Sequence, residues 1–189
     1  MMEIFTHEEI RDLAIATLAL TIIFSFEPFW GIDFTLFPTY LLIVILTFVF
    51  HELAHKFVAM KFQCAAFFKL WHLGILVGLA GMIVGLKFVA PGAVIIYPFQ
   101  FGRWGFRKTM LTVKEKGVIA LAGPLVNLLV ALISALLPFK IAKFLFRVNA
   151  WLFFSNMIPL PPLDGSKVME WNPSLWVFLF ILGAVMVFL

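Results

Sequence analysis

The stretch FHELAHK, residues Phe50–Lys56, ends the apolar run YLLIVILTFVF of residues 40–50, and it decides how this chain is interpreted. It places two imidazoles and a carboxylate at the end of a segment that is apolar enough to lie in a lipid bilayer. Ionisable side chains at that depth are energetically costly, so a cluster of them indicates a functional site.

His51 and His55 are four residues apart, so on a helix both imidazoles leave the same face one turn apart. That spacing lets two ring nitrogens reach one Zn²⁺ at about 2.0–2.1 Å. Glu52 adjoins His51 and can take a proton from water that the metal activates, without itself being a ligand. This HExxH pattern predicts a zinc site, and the alternative is a helix end with polar residues at the membrane interface.

The composition favours a membrane protein. The chain has 189 residues, of which 63% are hydrophobic and only 13% charged, and soluble domains are roughly half apolar. A net charge of +4 raises the possibility of a nucleic-acid partner, but Lys and Arg commonly flank membrane spans, so we expect none. The single cysteine excludes an intramolecular disulfide.

A membrane-spanning helix needs about 20 apolar residues. Six runs approach that length: Leu13–Trp30, Pro38–Met60, Leu70–Leu86, Gly117–Leu137, Ile141–Leu160 and Ser174–Leu189. We therefore predict an all-α polytopic membrane protein with about five to six transmembrane helices. Its expected location is the cell membrane, as an integral, multi-pass protein. At this length we expect one domain over residues 1–189, with its core over 38–170.

Two segments after the HExxH helix depart from this pattern. The glycine-rich run 70–86 has Lys and Arg on both sides, so we predict a re-entrant or shallow helix there. Val94–Tyr97 is rich in β-branched and aromatic residues, follows a Pro-Gly turn and precedes Pro98, which predicts a short β-hairpin. Lys and Arg are also absent from the loop 27–38, which places the HExxH motif toward the cytoplasmic side.

A catalytic zinc takes a third protein ligand and keeps an open position. Asp164 in NMIPLPPLDG is our candidate, because prolines break the helix before it and the orientation puts it at the depth of the histidines. Its alternative role is a turn residue. Asn156, in the same apolar stretch, either holds a substrate carbonyl or bonds another helix. For Asn127 in LAGPLVN an interhelical hydrogen bond is favoured.

HELAH, LAGPLVN and NMIPLPPLDG together resemble the site-2 protease family of intramembrane zinc metalloproteases. The last stretch matches that family's N-x-x-P-x-x-x-L-D-G pattern. The resemblance implies that His51, His55 and Asp164 bind one Zn²⁺ per chain and that Glu52 is the general base. It also implies that Asn156 positions substrate or stabilises the transition state. The implied substrate is a transmembrane protein segment, presented as a strand by residues around 88–98.

Two other classes of function are compatible with the motifs. A membrane scaffold or regulator could hold zinc without cleaving anything, although such a protein has no need of Glu52. A transporter could line an ion path with His and Asp, although the other spans contain few polar residues. The sequence specifies neither the substrate nor the oligomeric state.

Overall fold

The computed structural model describes residues 4–27, 31–85, 91–102, 105–108 and 110–188, and this part of the chain is mostly helical. Its helices are α1 (His7–Ser25), α2 (Phe37–Val44), α3 (Phe50–Lys61), α4 (His72–Ile83), α5 (Val113–Ala135), α6 (Lys140–Asn156), α7 (Asp164–Trp171) and α8 (Pro173–Phe188). Its short strands are β1 (Phe26–Glu27), β2 (Gly31–Ile32), β3 (Ala65–Leu70), β4 (Gly92–Tyr97), β5 (Phe99–Gly102) and β6 (Gly105–Lys108). The mostly helical class and a short hairpin after the HExxH helix were predicted, whereas β1, β2, β3 and α7 were not.

Two helices are long and apolar enough to cross a membrane. They are Phe37–Lys61, of 25 residues, and Val113–Ala135, of 23 residues, among the residues that the structure describes. The other four predicted crossings correspond to helices that are too short, too highly charged, or both. α4 has 12 residues and α8 has 16, while α1 and α6 carry several charged side chains. The prediction of five to six crossings therefore exceeds what helix length and composition support.

A π-helical turn, Ile45–Val49, joins α2 and α3 into one continuous helix directly before His51. The Phe50 N–H donates to the carbonyl of Ile45, five residues back. The Thr47 hydroxyl donates to the carbonyl of Ile43 at 2.6 Å, which competes with the regular helical bonding pattern. Single π turns of this kind are frequent at functional sites.

The strands after α3 differ in part from the prediction. β4 forms at Gly92–Tyr97 as expected and ends before Pro98, but it pairs with β3. The antiparallel hairpin is formed instead by β5 and β6. Within the glycine-rich run, α4 spans about 18 Å at 1.5 Å per residue. A helix of that length cannot cross a hydrocarbon core of about 30 Å, which is compatible with a shallow or re-entrant helix.

The contacts group the chain into two compact units, the first comprising residues 1–52 and 66–95. Its core joins α1, α2, β3 and α4 through buried side chains such as Leu20, Val44 and Phe68. The rings of Phe48 and Phe68 meet edge to face, with centroids 5.7 Å apart. The single domain expected over residues 1–189 stays a prediction.

Acidic side chains at the start of α1 bind the backbone of β3. α1 begins at His7, six residues before the predicted Leu13, because the Thr6 hydroxyl caps it by accepting the Glu9 N–H. Glu9, which is buried, accepts the Phe68 N–H at 2.9 Å, and Asp12 accepts the Leu70 N–H at 3.3 Å. Alternate residues of a strand direct their N–H groups to one edge, so these carboxylates act as a neighbouring strand would.

The second unit comprises residues 53–65 and 96–189, and it contains α5 to α8. Buried apolar residues from all four helices form its core, among them Leu121, Phe153, Val168 and Leu179. α5 and α7 approach closely at Gly117, where an added Cβ would lie 2.4 Å from the Cβ of Trp171. The Thr112 hydroxyl and the Glu115 carboxylate form a capping box that starts α5.

Candidate metal centre

The HExxH motif lies on α3, as its spacing predicts. His51, Glu52 and His55 are all buried, with relative exposures of 6–7%. His51 precedes His55 by one turn of the same helix, so both rings leave the same face. The sequence therefore places two imidazoles and a carboxylate together in a water-poor environment, where such groups need specific partners.

Asp164 is the first residue of α7, directly after the Pro161–Pro162–Leu163 segment. Its Oδ2 atom lies 3.2 Å from Nε2 of His55. Gly165 allows this placement, because a Cβ there would lie 2.3 Å from the carbonyl oxygen of Met157. The proline-rich break and the following glycine thus bring Asp164 to the histidine, while the alternative role as a simple turn residue does not account for this contact.

His51, His55 and Asp164 each offer one ligand atom, and these atoms all lie within 4.8 Å of one another. Two ligands at 2.0–2.1 Å from a tetrahedral zinc are separated by roughly 3.3 Å. The 3.2 Å between His55 and Asp164 matches that separation. Two imidazole nitrogens and one carboxylate oxygen are also a donor set of catalytic zinc sites, which leave a fourth position open. The residues therefore fit Zn²⁺.

A backbone carbonyl orients the ring of His55. Nδ1 of His55 lies 2.8 Å from the carbonyl oxygen of Ile119, on α5, so this nitrogen donates when the ring is neutral. The Nε2 lone pair of that tautomer then faces Asp164 and the metal position. Ligating histidines commonly donate their second ring N–H in this way, which fixes the tautomer and the ring orientation.

Lys167 contacts the second oxygen of Asp164. Its Nζ atom lies 3.8 Å from Oδ1 of Asp164, one helical turn earlier, and donates to the carbonyl of Pro162 at 3.2 Å. The Asp164 carboxylate therefore has one oxygen directed to His55 and the other to an ammonium group.

Asn156 is the last residue of α6, and its Nδ2 atom donates to the carbonyl of Leu152 at 3.0 Å. This bond lies within its own helix, so the catalytic role of Asn156 stays a prediction. Asn127 makes the interhelical bond that was favoured for it, donating to Oδ1 of Asn149 at 2.9 Å between α5 and α6. Both asparagines of this pair are fully buried.

Sequence reasoning missed two features near the histidines. Lys56 is a lysine at the end of an apolar helix, where a solvent-exposed cation is expected, but the residue is 1% exposed. Lys56 lies one helical turn after Glu52 on α3, and only the packing shows that this face of the helix is covered. The carbonyl of Ile119 could not be found from the sequence, since every residue carries a carbonyl and only packing selects one.

Two relatives that are named as metalloproteases are similar to most of the chain. It is 40% identical over 182 residues, 91% of this chain and 88% of the relative, to "Putative zinc metalloprotease MJ0611" of Methanocaldococcus jannaschii. It is 30% identical over 164 residues, 72% of this chain and 69% of the relative, to "Putative zinc metalloprotease YwhC" of Bacillus subtilis. No family model and no solved structure matches the chain. The identity and coverage show that this chain belongs to the zinc metalloprotease family of these two relatives.

Proposed function

We propose that this chain is an intramembrane zinc metalloprotease, which hydrolyses peptide bonds in or near the transmembrane segments of other proteins. The observation that carries the proposal is the 3.2 Å contact between Nε2 of His55 and Oδ2 of Asp164, close to His51. The two histidines lie on a helix that is apolar enough to enter a bilayer. The same motifs resemble the site-2 protease family. We infer a multi-pass arrangement in which the centre is near the cytoplasmic side, from the distribution of Lys and Arg.

One zinc ion per chain would be held by His51, His55 and Asp164. When bound, it supplies a Lewis acid that polarises a carbonyl and lowers the pKa of water from 15.7 to about 7. Ile119 keeps the His55 ring in the orientation that this role needs. The burial of all three groups of the HExxH motif strengthens their electrostatic interactions with a reacting peptide bond.

Glu52 is the proposed general base. It follows His51 directly on α3 and is buried beside the ligand face. In the proposed reaction its carboxylate takes a proton from the attacking water and passes it to the leaving amine. Asn156 would donate its amide N–H to the developing oxyanion. That role requires the amide to leave its present acceptor, the carbonyl of Leu152.

The substrate has to present an extended peptide bond. In a transmembrane helix each carbonyl is occupied by its own hydrogen bond, so the segment must unwind locally before it can react. β4 offers backbone groups to which an extended segment could pair. We therefore expect substrates that carry Gly, Pro or Asn at membrane depth, because these residues weaken a helix there.

The decisive experiment replaces Glu52 with Gln in the full-length protein, reconstituted in liposomes with a membrane-embedded reporter. We expect cleavage to fall by at least about 100-fold, the lower end of a general base's contribution. Bound zinc should be retained, because Glu52 is not a proposed ligand. Glu170→Gln, an exposed change on α7, is the matched control and should leave cleavage unchanged.

Two results would contradict the proposal. Undiminished cleavage by the Glu52→Gln variant would remove Glu52 from the mechanism. A wild-type protein that binds zinc but cleaves none of a panel of transmembrane reporters would instead favour a catalytically silent zinc-binding scaffold.

A further inference from the structure

The ammonium group of Lys167 lies between two acceptors at the start of α7. It is 3.8 Å from Oδ1 of Asp164 and donates to the carbonyl of Pro162 at 3.2 Å. The second contact is a charge-assisted hydrogen bond, which is stronger than one between neutral groups. Lys167 therefore links the turn before α7 to Oδ1 of the Asp164 carboxylate.

The two oxygens of Asp164 have different surroundings. Oδ2 lies 3.2 Å from His55, whereas Oδ1 faces Lys167. A carboxylate can bind a metal through one oxygen or through both, and the orientation of the carboxylate plane decides which of the two occurs. An ammonium group next to Oδ1 favours the orientation in which Oδ2 alone faces the histidine.

We propose that Lys167 is a positioning residue, which holds the carboxylate of Asp164 as a one-oxygen ligand. This inference rests on the proposed zinc site and adds a residue to which no role has been given. Partners that hydrogen-bond to ligands typically contribute 10–100-fold to metal affinity or activity. The Lys167 ammonium is 3.8 Å from Oδ1, an ion-pair distance longer than a hydrogen bond, and the Lys167 side chain is 45% exposed. We therefore expect an effect at the lower end of that range, about tenfold.

A purely stabilising salt bridge is the competing explanation for the contact. Exposed ion pairs contribute little to folding stability. The two explanations differ in what they affect, since a positioning role changes the geometry of the metal site while the folded state keeps its stability. Metal affinity and the spectrum of a bound metal separate them without any assay of cleavage.

The experiment uses the full-length protein in detergent, first freed of metal with a chelator. Wild type, Lys167→Met and Lys167→Arg are titrated with Zn²⁺ against a chromogenic competitor, and Co²⁺ is added separately to record its visible absorption. Lys143→Met, an exposed change on α6, is the matched control. The Lys143→Met substitution removes the same charge and makes the same change of side chain at a position outside the metal centre.

We expect Lys167→Met to weaken Zn²⁺ binding about tenfold and to shift the Co²⁺ absorption bands. Lys167→Arg, which keeps a positive donor, should restore most of the affinity, and Lys143→Met should match wild type. The thermal midpoint of the metal-free Lys167→Met protein should equal that of wild type. Wild-type affinity and an unshifted Co²⁺ spectrum for Lys167→Met would overturn the inference while leaving the zinc site intact.

A lowered thermal midpoint of the metal-free variant, with an unshifted Co²⁺ spectrum, would also overturn the inference in favour of the stabilising role. Failure of the wild-type protein to bind Zn²⁺ would instead overturn the proposed function, and the inference with it. The outcomes for the two proposals are therefore distinguishable.

Discussion

Gly117 offers a direct test of how helix packing sets the metal centre. In a Gly117→Ala variant the new Cβ would lie 2.4 Å from Cβ of Trp171 and 2.7 Å from its Cγ. Ordinary contacts of this kind are 3.4–4 Å, so α7 has to move away from α5 by about 1 Å, a typical response to overpacking. The clash involves the first side-chain atom of Trp171, which a change of rotamer cannot remove.

The consequence for the metal centre follows from the length of α7. This helix has 8 residues, with Asp164 at its start and Trp171 at its end. A shift of about 1 Å carried along such a short helix exceeds the tolerance of about 0.2 Å for a zinc–ligand distance. We expect Zn²⁺ affinity to fall by at least about tenfold, which corresponds to 1.4 kcal/mol.

The change in the free energy of unfolding is a second measurement. Its sign shows whether the new methyl group at position 117 has space or is overpacked. Gly→Ala within a helix stabilises by about 1 kcal/mol when the new methyl group has space, whereas overpacking costs about 1–3 kcal/mol. Gly183→Ala on α8 is the matched control. There an added Cβ would lie 3.2 Å from Cα of Phe154, so the neighbours have to move only a few tenths of an ångström.

The assay compares Gly117→Ala, Gly183→Ala and wild type in detergent, by competition for Zn²⁺ and by thermal unfolding without metal. Gly117→Ala should lose both affinity and stability, while Gly183→Ala should keep wild-type affinity. A Gly117→Ala protein that is more stable than wild type and binds Zn²⁺ equally well would refute the argument that this contact positions Asp164.

Two further predictions concern the hydrogen bonds that hold the helices. Glu9→Leu leaves the Phe68 N–H without its carboxylate acceptor and should cost about 1–3 kcal/mol, whereas Glu9→Gln keeps an acceptor and should cost less. Hydrogen exchange at Phe68 measures the difference, and equal protection in both variants would contradict it. Asn127→Leu removes a donor to Asn149 and should cost about 0.6–1.7 kcal/mol. Thermal unfolding of Asn127→Leu, Asn149→Leu and the double variant measures the coupling between the two asparagines, and strict additivity would exclude it.

Local spacing was enough to predict the features that depend on a single segment. The four-residue interval between His51 and His55 predicts one helix face, because the helical repeat alone sets that geometry. The prolines and glycine around Asp164 predict a break in the helix for a similar reason, since proline lacks the N–H that a helix interior needs. The strand predicted at Val94–Tyr97 followed from its β-branched and aromatic residues, and the observed strand, Gly92–Tyr97, contains that segment.

Features that depend on packing between distant segments were not predictable. Residue types cannot tell whether a lysine such as Lys56 is exposed or buried, because that depends on what covers the helix. The strand β3 escaped prediction because its edge is completed by carboxylates from α1, a pairing with no local sequence pattern. The number of apolar runs likewise overstated the number of membrane-length helices, since apolar residues also line buried cores.

The sequence alone therefore determined the chemistry of this protein: which imidazoles and carboxylates exist, and that two of them share a helix face. Only the tertiary structure decided their arrangement. It brings Asp164 to 3.2 Å from His55 and selects the carbonyl of Ile119 to orient the ring. The physical reason is that ligand identity is a property of residues, while ligand distance depends on how closely α5 and α7 pack, which here requires a glycine at position 117.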